Sequence, residues 1–223
     1  QLQSSAASDV YKRQLFNPIK INNLDIPNRF AMAPMTRNKS PNGIPGQNVA
    51  DYYERRAKGG VGLIITEGVE VSHPSSSGYP DVPGLKPEAH EGWRNVISQV
   101  HKYDSKIFCQ LWHVGAIRKP GLPPEPDVPG FTPSGLVRKD KKVAYEMTAH
   151  DIENMIEIYV RDIEIIKDLG FDGVELHGAH GYLIDQFFWE DTNQRKDGFG
   201  GSIQLRSSFA SEIIKSCLLY TSP

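Results

Sequence analysis

The chain alternates between short apolar runs and longer stretches in which apolar residues recur every three or four positions. Short apolar runs are typical of strands buried on both faces of a parallel sheet, and the wider spacing is typical of amphipathic helices. Each predicted strand is followed by a predicted helix, which indicates four βα units with parallel strands. The predicted strands are Arg29–Met35, Gly62–Glu67, Lys106–Leu111 and Gly173–Leu176.

Local signals set the ends of the predicted helices. A proline opens the helix Pro87–Tyr103, and Thr148 with Asp151 forms a capping-box pattern for a helix that ends before Gly170. The apolar stripe of this third helix consists of Ile152, Met155, Ile156, Tyr159, Ile163 and Ile166. The other two helices are Val49–Lys58 and one capped by Ser202, with Leu205, Phe209 and Ile213 on one side.

The spacing of strands and helices favours a TIM (β/α)8 barrel over a dinucleotide-binding sheet. Gly60-Val-Gly62 lacks the third glycine of a phosphate-binding loop and precedes a strand rather than a helix. We therefore predict an α/β chain that holds about the first four units of a barrel. Because half a barrel has two open edges, the chain alone is expected to aggregate, dimerise or stay partly unfolded.

Two long predicted loops, Val69–Lys86 and Val114–Met147, follow the second and third strands. Connections of this length in a compact enzyme usually cover a site. In a barrel, both lie on the face formed by the carboxyl ends of the strands.

Both ends of the chain resemble translated adapter DNA. Asp9–Gln14 can be written as GAT GTG TAT AAG AGA CAG, and the reverse complement, shifted by one base, encodes Cys217–Ser222. We therefore expect residues 1–14 and 217–223 to be non-native and residues 15–216 to be the N-terminal half of a barrel. The alternative is that both ends are native.

Composition excludes few classes of protein. The 25 basic and 27 acidic residues nearly cancel, which implies no nucleic-acid or acidic-membrane partner. No run reaches the ~18 apolar residues that a membrane span needs. Cys109 is the one cysteine outside the expected adapter ends, so no disulfide framework is predicted and a cytoplasmic location is favoured.

The chemistry concentrates where the fourth predicted strand ends. His177, His180 and Tyr182 follow that strand directly, at the face where a barrel carries its active site. Two imidazoles and a phenol suit a site that binds a polarised oxygen and delivers a proton. The alternatives are a metal-binding histidine pair, two structural histidines bonded to backbone, and a packing tyrosine. A glycine after each histidine favours a loop, and no HExxH motif or third ligand is evident, so we predict no metal site.

Motifs near the other strand ends make the interpretation specific. Together with the histidine motif, they resemble the Old Yellow Enzyme family of FMN-dependent ene-reductases, near its 12-oxophytodienoate reductase and N-ethylmaleimide reductase members. The resemblance extends from Leu15 to about Ile214. The motifs are Ala33–Thr36, Thr66–Gly68, Gln110–His113, Glu175–Leu183 and Asn193–Ser202.

The resemblance implies that FMN takes hydride from NAD(P)H and passes it from N5 to an alkene conjugated to a carbonyl or nitro group. His177 and His180 are similar to the pair that hydrogen-bonds the substrate oxygen, and Tyr182 matches the residue that protonates the α-carbon. Trp112 and Tyr79 are candidates for the substrate side, although core packing explains Trp112 equally well.

The resemblance also implies a set of FMN contacts. Thr36 matches the threonine that bonds flavin O4, and Gln110 matches the glutamine that binds the pyrimidine edge. Gly68 matches a small residue that lets the ring approach, and Pro34 with Met35 supplies backbone and contact surface. The alternatives are a turn threonine and a polar strand-end glutamine.

The chain departs from the family pattern in several places. Phe199 stands where the family usually has tyrosine, and the usual Glu-Asn-Arg order around Arg206 is not kept. Arg195 and Asp197 are expected to brace their loop as an ion pair. The family's strand-five arginine and phosphate site lie beyond Ser216, so negligible FMN binding is expected of this chain.

Three other readings stay open for the parent protein. One is a longer iron–sulfur flavoprotein similar to dienoyl-CoA reductase, another is a metal-dependent barrel hydrolase, and the third is a non-catalytic remnant. The sequence predicts neither the physiological substrate, nor a preference between NADH and NADPH, nor the oligomeric state.

Overall fold

A computed structural model gives the fold of residues 13–121 and 125–221. The strands are β1 (Ile19–Ile21), β2 (Leu24–Ile26), β3 (Ala31–Met32), β4 (Leu63–Glu70), β5 (Lys106–Trp112), β6 (Phe131–Thr132), β7 (Leu136–Arg138), β8 (Lys141–Lys142), β9 (Tyr145–Glu146) and β10 (Gly173–Leu176). The α-helices are α1 (Gln47–Lys58), α2 (His90–His101), α3 (Ala149–Leu169), α4 (Leu183–Phe188), α5 (Ile203–Arg206) and α6 (Ser208–Thr221).

The central sheet has the strand order β10-β5-β4-β3, and every neighbouring pair in it is parallel. A helix follows each strand of this sheet, so the prediction of an α/β chain with parallel strands is confirmed. Among the described residues, β10 pairs with β5 alone. A cavity of about 970 Å³ borders its free edge and is lined by the β1–β2 turn, α3 and α6.

Three of the four predicted strands have other bounds in the structure, and the third differs only by its last residue, Trp112. The first strand is only Ala31–Met32 rather than Arg29–Met35, and Pro34, two residues further on, has no N–H to donate to a ladder. The second strand continues past Glu67 to Glu70, because β4 pairs with β5 again after a bulge. The predicted loop Val69–Lys86 therefore begins two residues later.

The third helix follows its predicted ends. Thr148 and Asp151 form the capping box, and Gly170 ends the helix at φ 96° in the left-handed region. Its predicted apolar stripe is buried except for Ile156, which is only partly buried. The same helix also buries a carboxylate outside that stripe, Asp162, which is 1% exposed.

The other helices differ from prediction in their bounds. Helix α1 begins at Gln47 rather than Val49, and α2 ends at His101 rather than Tyr103. The segment Pro87–Ala89 is a 3-10 turn that precedes α2. The single helix expected after Ser202 is divided at Ser207 into α5 and α6.

The core lies between the sheet and the surrounding helices. Its largest fully buried side chains include Trp93 of α2, Tyr53 of α1, Tyr159 of α3 and Phe209 of α6. Because the four strands of the sheet are parallel, the loops that follow them all leave from its carboxyl edge.

The expected adapter segments fall mostly at the limits of the described chain. Residues 1–12, 222 and 223 lie outside the described residues, and α6 continues through Cys217 to Thr221. Within the described residues, neither Cys109 nor Cys217 forms a disulfide. None of the helices in the described ranges combines the length and apolar character required to cross a bilayer.

Candidate active site

The histidine turn begins directly where β10 ends. The His177 backbone N–H donates to the Leu111 carbonyl at 2.9 Å, which extends the pairing with β5 by one residue. The ring atoms His177 Nε2 and His180 Nδ1 are 3.2 Å apart. The turn therefore brings the two imidazoles together, as predicted.

The contacts of His177 indicate its tautomer. Its Nδ1 accepts the Ala179 backbone N–H at 3.4 Å, so the ring proton lies on Nε2, which donates to His180. Burial lowers the pKa of His177 below its ordinary value, and the neighbouring His180 lowers it further. His177 is therefore a neutral donor at neutral pH.

Tyr182 packs against His177 and faces a second tyrosine. The Tyr182 and His177 rings stack at 4.7 Å with planes 21° apart. The hydroxyls of Tyr182 and Tyr79 are 3.4 Å apart. Burial raises the pKa of Tyr182, and the hydrogen bond to Tyr79 raises it further. The phenol is thus fully protonated at neutral pH.

Trp112 connects these aromatic rings. It is 3% exposed, and its ring centroid lies 5.7 Å from Tyr79, 5.5 Å from Tyr182 and 6.3 Å from His177. Both roles considered for it, core packing and the substrate side, are compatible with this position. All five residues predicted on the substrate side form one cluster: His177, His180, Tyr182, Trp112 and Tyr79.

The predicted FMN contacts lie at the same ends of the sheet strands. Met35 is 54% exposed, Thr36 is exposed and Pro34 is partly buried, all within four residues of the end of β3. Gly68 in β4 and Gln110 in β5 pair directly in the sheet.

Gly68 and Gln110 also contact other residues. A Cβ on Gly68 would lie within 2.9 Å of Trp112 Cε2, so the absent side chain makes room for the indole. Gln110 Nε2 donates one of its two N–H groups to Glu175 Oε1 at 2.6 Å, a bond that uses neither the amide oxygen nor the second N–H. The sequence prediction included neither contact.

An ion pair that was not predicted from the sequence joins the loop after β3 to β4. Arg37 donates from Nη2 at 2.7 Å and from Nε at 3.0 Å to Oε1 of Glu67, and its backbone N–H donates to Oε2 at 3.0 Å. The Glu67 side chain is fully buried, and Arg37 lies 3.8 Å above the Tyr52 ring. The sequence signal for this pair was the opposite charges of Arg37 and Glu67, which stand directly beside the predicted FMN contacts Thr36 and Gly68.

A chain of hydrogen bonds that was also missed ties the two long loops together. Gly115 donates to His113 Nδ1 at 3.0 Å, so His113 Nε2 carries the proton and donates to Ser75 Oγ at 3.0 Å. Ser75 in turn donates to His73 Nδ1 at 2.7 Å. Burial holds the pKa of His113 well below its usual range, which keeps this arrangement neutral.

Other charged side chains brace the loops rather than the site. The predicted ion pair is present, with Arg195 Nη2 and Asp197 Oδ2 2.5 Å apart, and Arg195 Nη1 donates to the Pro133 carbonyl at 2.8 Å. Within residues 13–121 and 125–221, no group of three or more His, Cys, Asp or Glu side chains could hold a metal ion.

Relatives of known sequence match about nine tenths of the chain. It is 35% identical over 206 residues to 12-oxophytodienoate reductase 1 of Oryza sativa subsp. japonica, covering 90% of this chain and 54% of that protein. It is 38% identical over 216 residues to flavin oxidoreductase hxnT of Emericella nidulans, covering 91% of this chain and 55% of that protein. The chain thus spans about half the length of these relatives.

Solved structures give the same result. Morphinone reductase superposes with a TM-score of 0.85 at 33% identity, over 94% of this chain and 59% of that one. Old Yellow Enzyme from a Pichia species also has a TM-score of 0.85 and 33% identity, over 92% and 56%. Both are TIM-barrel proteins, and the resemblance to the Old Yellow Enzyme family is confirmed. Residues 14–218 match the model of the NADH:flavin oxidoreductase / NADH oxidase family, and the chain therefore belongs to that family.

Proposed function

We propose that the complete protein is an FMN-dependent ene-reductase that uses NAD(P)H to reduce an alkene conjugated to a carbonyl or nitro group. One observation carries the proposal: His177 Nε2 and His180 Nδ1 face each other at 3.2 Å beside the protonated phenol of Tyr182. Two imidazole rings and an acid in one cluster suit a substrate that gains charge on oxygen and a proton on carbon.

The histidines bind the substrate oxygen. As the β-carbon gains hydride, negative charge moves to that oxygen, and ring N–H groups aimed at it stabilise the charge where it develops. His177 supplies Nε2–H as it stands, whereas His180 Nδ1 accepts in the present arrangement. His180 therefore exchanges its proton from Nε2 to Nδ1, and its exposure to solvent permits that exchange.

Tyr182 completes the reaction as the acid. Its O–H bond breaks as a C–H bond forms at the α-carbon, and the phenolate then regains a proton from water. A raised pKa makes Tyr182 a poor acid towards water and a suitable one towards a strongly basic enolate carbon. Tyr79 and Trp112 flank Tyr182 and would contact the substrate.

The residues at the strand ends fit a planar ring with a polar edge. The exposed Thr36 hydroxyl and the Gln110 amide oxygen would hold the edge of FMN, while Pro34, Met35 and Gly68 would contact its ring. When bound, FMN supplies the hydride it has taken from NAD(P)H. The near-neutral charge and the unpaired Cys109 support a cytoplasmic protein with a small-molecule substrate.

The test begins with recovery of the complete gene from intact DNA. The purified protein is expected to contain close to one FMN per chain and to oxidise NADPH when 2-cyclohexenone is added. His177→Ala and His180→Ala should each slow alkene reduction, whereas His150→Ala, which changes an exposed histidine on α3, should not. A flavin-free protein, or one that chelators inactivate, would contradict the proposal.

A further inference from the structure

The backbone of the histidine turn is held in an unfavourable conformation. His180 has φ 60°, in the left-handed region where a residue with a Cβ is rarely found, and Gly181 follows at φ 68°. Such a histidine persists only where neighbouring groups over-determine its backbone.

Two side chains of α4 hold Gly181 from both sides. The Gly181 N–H donates to Asp185 Oδ2 at 2.7 Å, and the Gly181 carbonyl accepts from Gln186 Nε2 at 2.5 Å. Gln186 is 1% exposed, so water does not compete for its amide. The peptide groups between His180 and Tyr182 are therefore bonded to fixed partners.

The other end of the Gln186 amide binds the loop after β5. Gln186 Oε1 accepts the Ala116 N–H at 3.2 Å. Gly115 has φ 59°, and a Cβ there would lie 2.8 Å from Gln186 Cδ, so the glycine leaves space for the amide. The Gln186 amide thus bonds two segments far apart in sequence, through its oxygen to Ala116 and through its nitrogen to Gly181. Only one orientation of the amide satisfies both bonds.

We propose that Gln186 is a positioning residue that sets the His180–Tyr182 turn relative to the loop after β5, and so directs His180 and Tyr182 at the substrate. The inference rests on the ene-reductase function proposed above. Gln186 itself contacts neither substrate nor reacting atoms; it acts through the Gly181 peptide.

The test changes the donor while keeping the shape. In Gln186→Glu, an ionised carboxylate faces the Gly181 carbonyl and repels it, whereas a protonated carboxyl can donate to it. Burial raises the pKa of such a carboxyl, so lowering the pH from 8 to 6 converts one form into the other. Gln186→Met lacks a donor at any pH, and Gln204→Glu, at an exposed position on α5, is the matched control.

Stopped-flow kinetics on the complete flavin-loaded protein separate the two half-reactions. At pH 8, we expect both Gln186 variants to slow flavin reoxidation by 2-cyclohexenone about 10- to 100-fold, the size of effect that a small misplacement causes. Flavin reduction by NADPH should stay within about twofold of wild type. At pH 6, the reoxidation rate of Gln186→Glu should return towards that of wild type at the same pH, whereas the rate of Gln186→Met should stay low. The control Gln204→Glu should match wild type at both pH values.

A second readout does not depend on activity. The ring NMR signals of His177 and His180 should shift in Gln186→Glu at pH 8 and return at pH 6. Wild-type reoxidation rates in both variants, equal loss in both half-reactions, or unshifted ring signals would overturn the positioning role. A wild-type protein that fails to reduce the alkene would instead refute the proposed function.

Discussion

Replacing Arg37 with methionine tests the ion pair that joins the loop after β3 to Glu67 of β4. The change keeps an unbranched side chain and removes the charge. It deletes the bonds of 2.7 and 3.0 Å from the guanidinium to Glu67 and leaves only the backbone N–H at 3.0 Å. A fully buried carboxylate then lacks its counter-charge.

Two independent estimates of the cost agree. Hydrogen bonds to a charged group contribute about 1.5–3 kcal/mol each, so the loss of two amounts to about 3–6 kcal/mol. Breaking a buried ion pair by removing one partner costs about 3–5 kcal/mol. The lost stacking on Tyr52 adds about 0.5–1 kcal/mol. Since a domain is stable by about 5–15 kcal/mol, the variant should lose a large part of its stability.

Urea unfolding of the flavin-free complete protein measures this loss. Glu67→Gln in the Arg37→Met background should recover part of it, because no buried charge then remains, and the coupling energy of the cycle should exceed about 2 kcal/mol. Lys20→Met, which breaks a pair that is 61% and 82% exposed, should change stability by less than about 1 kcal/mol. A loss below 1 kcal/mol for Arg37→Met, or additive single effects, would refute the reasoning.

Other predictions address packing, pH and the chain itself. Gly68→Ala places a methyl within 2.9 Å of Trp112 Cε2 and should lower the free energy of unfolding by about 1–3 kcal/mol, measured by thermal unfolding. Adding Trp112→Leu should relieve the overlap, and an unchanged melting temperature in Gly68→Ala would contradict it. Burial raises the pKa of Glu70 to about 7. The folded state therefore keeps a proton that the unfolded state releases above about pH 4.3, so the free energy of unfolding should fall by about 3 kcal/mol as the pH rises to 7. Glu70→Gln should remove that slope in urea unfolding, and a slope that survives would rule out Glu70 as its source. The 223-residue chain expressed alone should bind negligible FMN and aggregate, dimerise or melt without cooperativity; near-stoichiometric flavin absorbance or a cooperative melt of a monomer would show otherwise.

Elements with local signals could be predicted from sequence. Thr148 and Gly170 mark the ends of α3 through hydrogen bonds within a few residues, and the apolar run Gly173–Leu176 is the strand β10 without change. The first strand could not be predicted well, because its two paired residues depend on where β4 lies beside it. The bulge that extends β4 likewise depends on its register with β5.

The same distinction applies to the candidate site. The spacing of His177, His180 and Tyr182 indicated a cluster that the fold does assemble. The residues that support it could not be identified in this way. Gln186 is recognisable only through its bond to Ala116, 70 positions away along the chain, and neither residue carries a motif that implies the other.

The role of Tyr182 as the proton donor is the central claim, and Tyr182→Phe in the complete protein tests it most directly. The variant keeps the ring stacked on His177 and removes only the hydroxyl. Stopped-flow traces should show flavin reduction by NADPH close to the wild-type rate, and reoxidation by 2-cyclohexenone slowed about 10²- to 10⁴-fold, the usual contribution of a general acid. Equal slowing of both half-reactions, or reoxidation at the wild-type rate, would contradict the account.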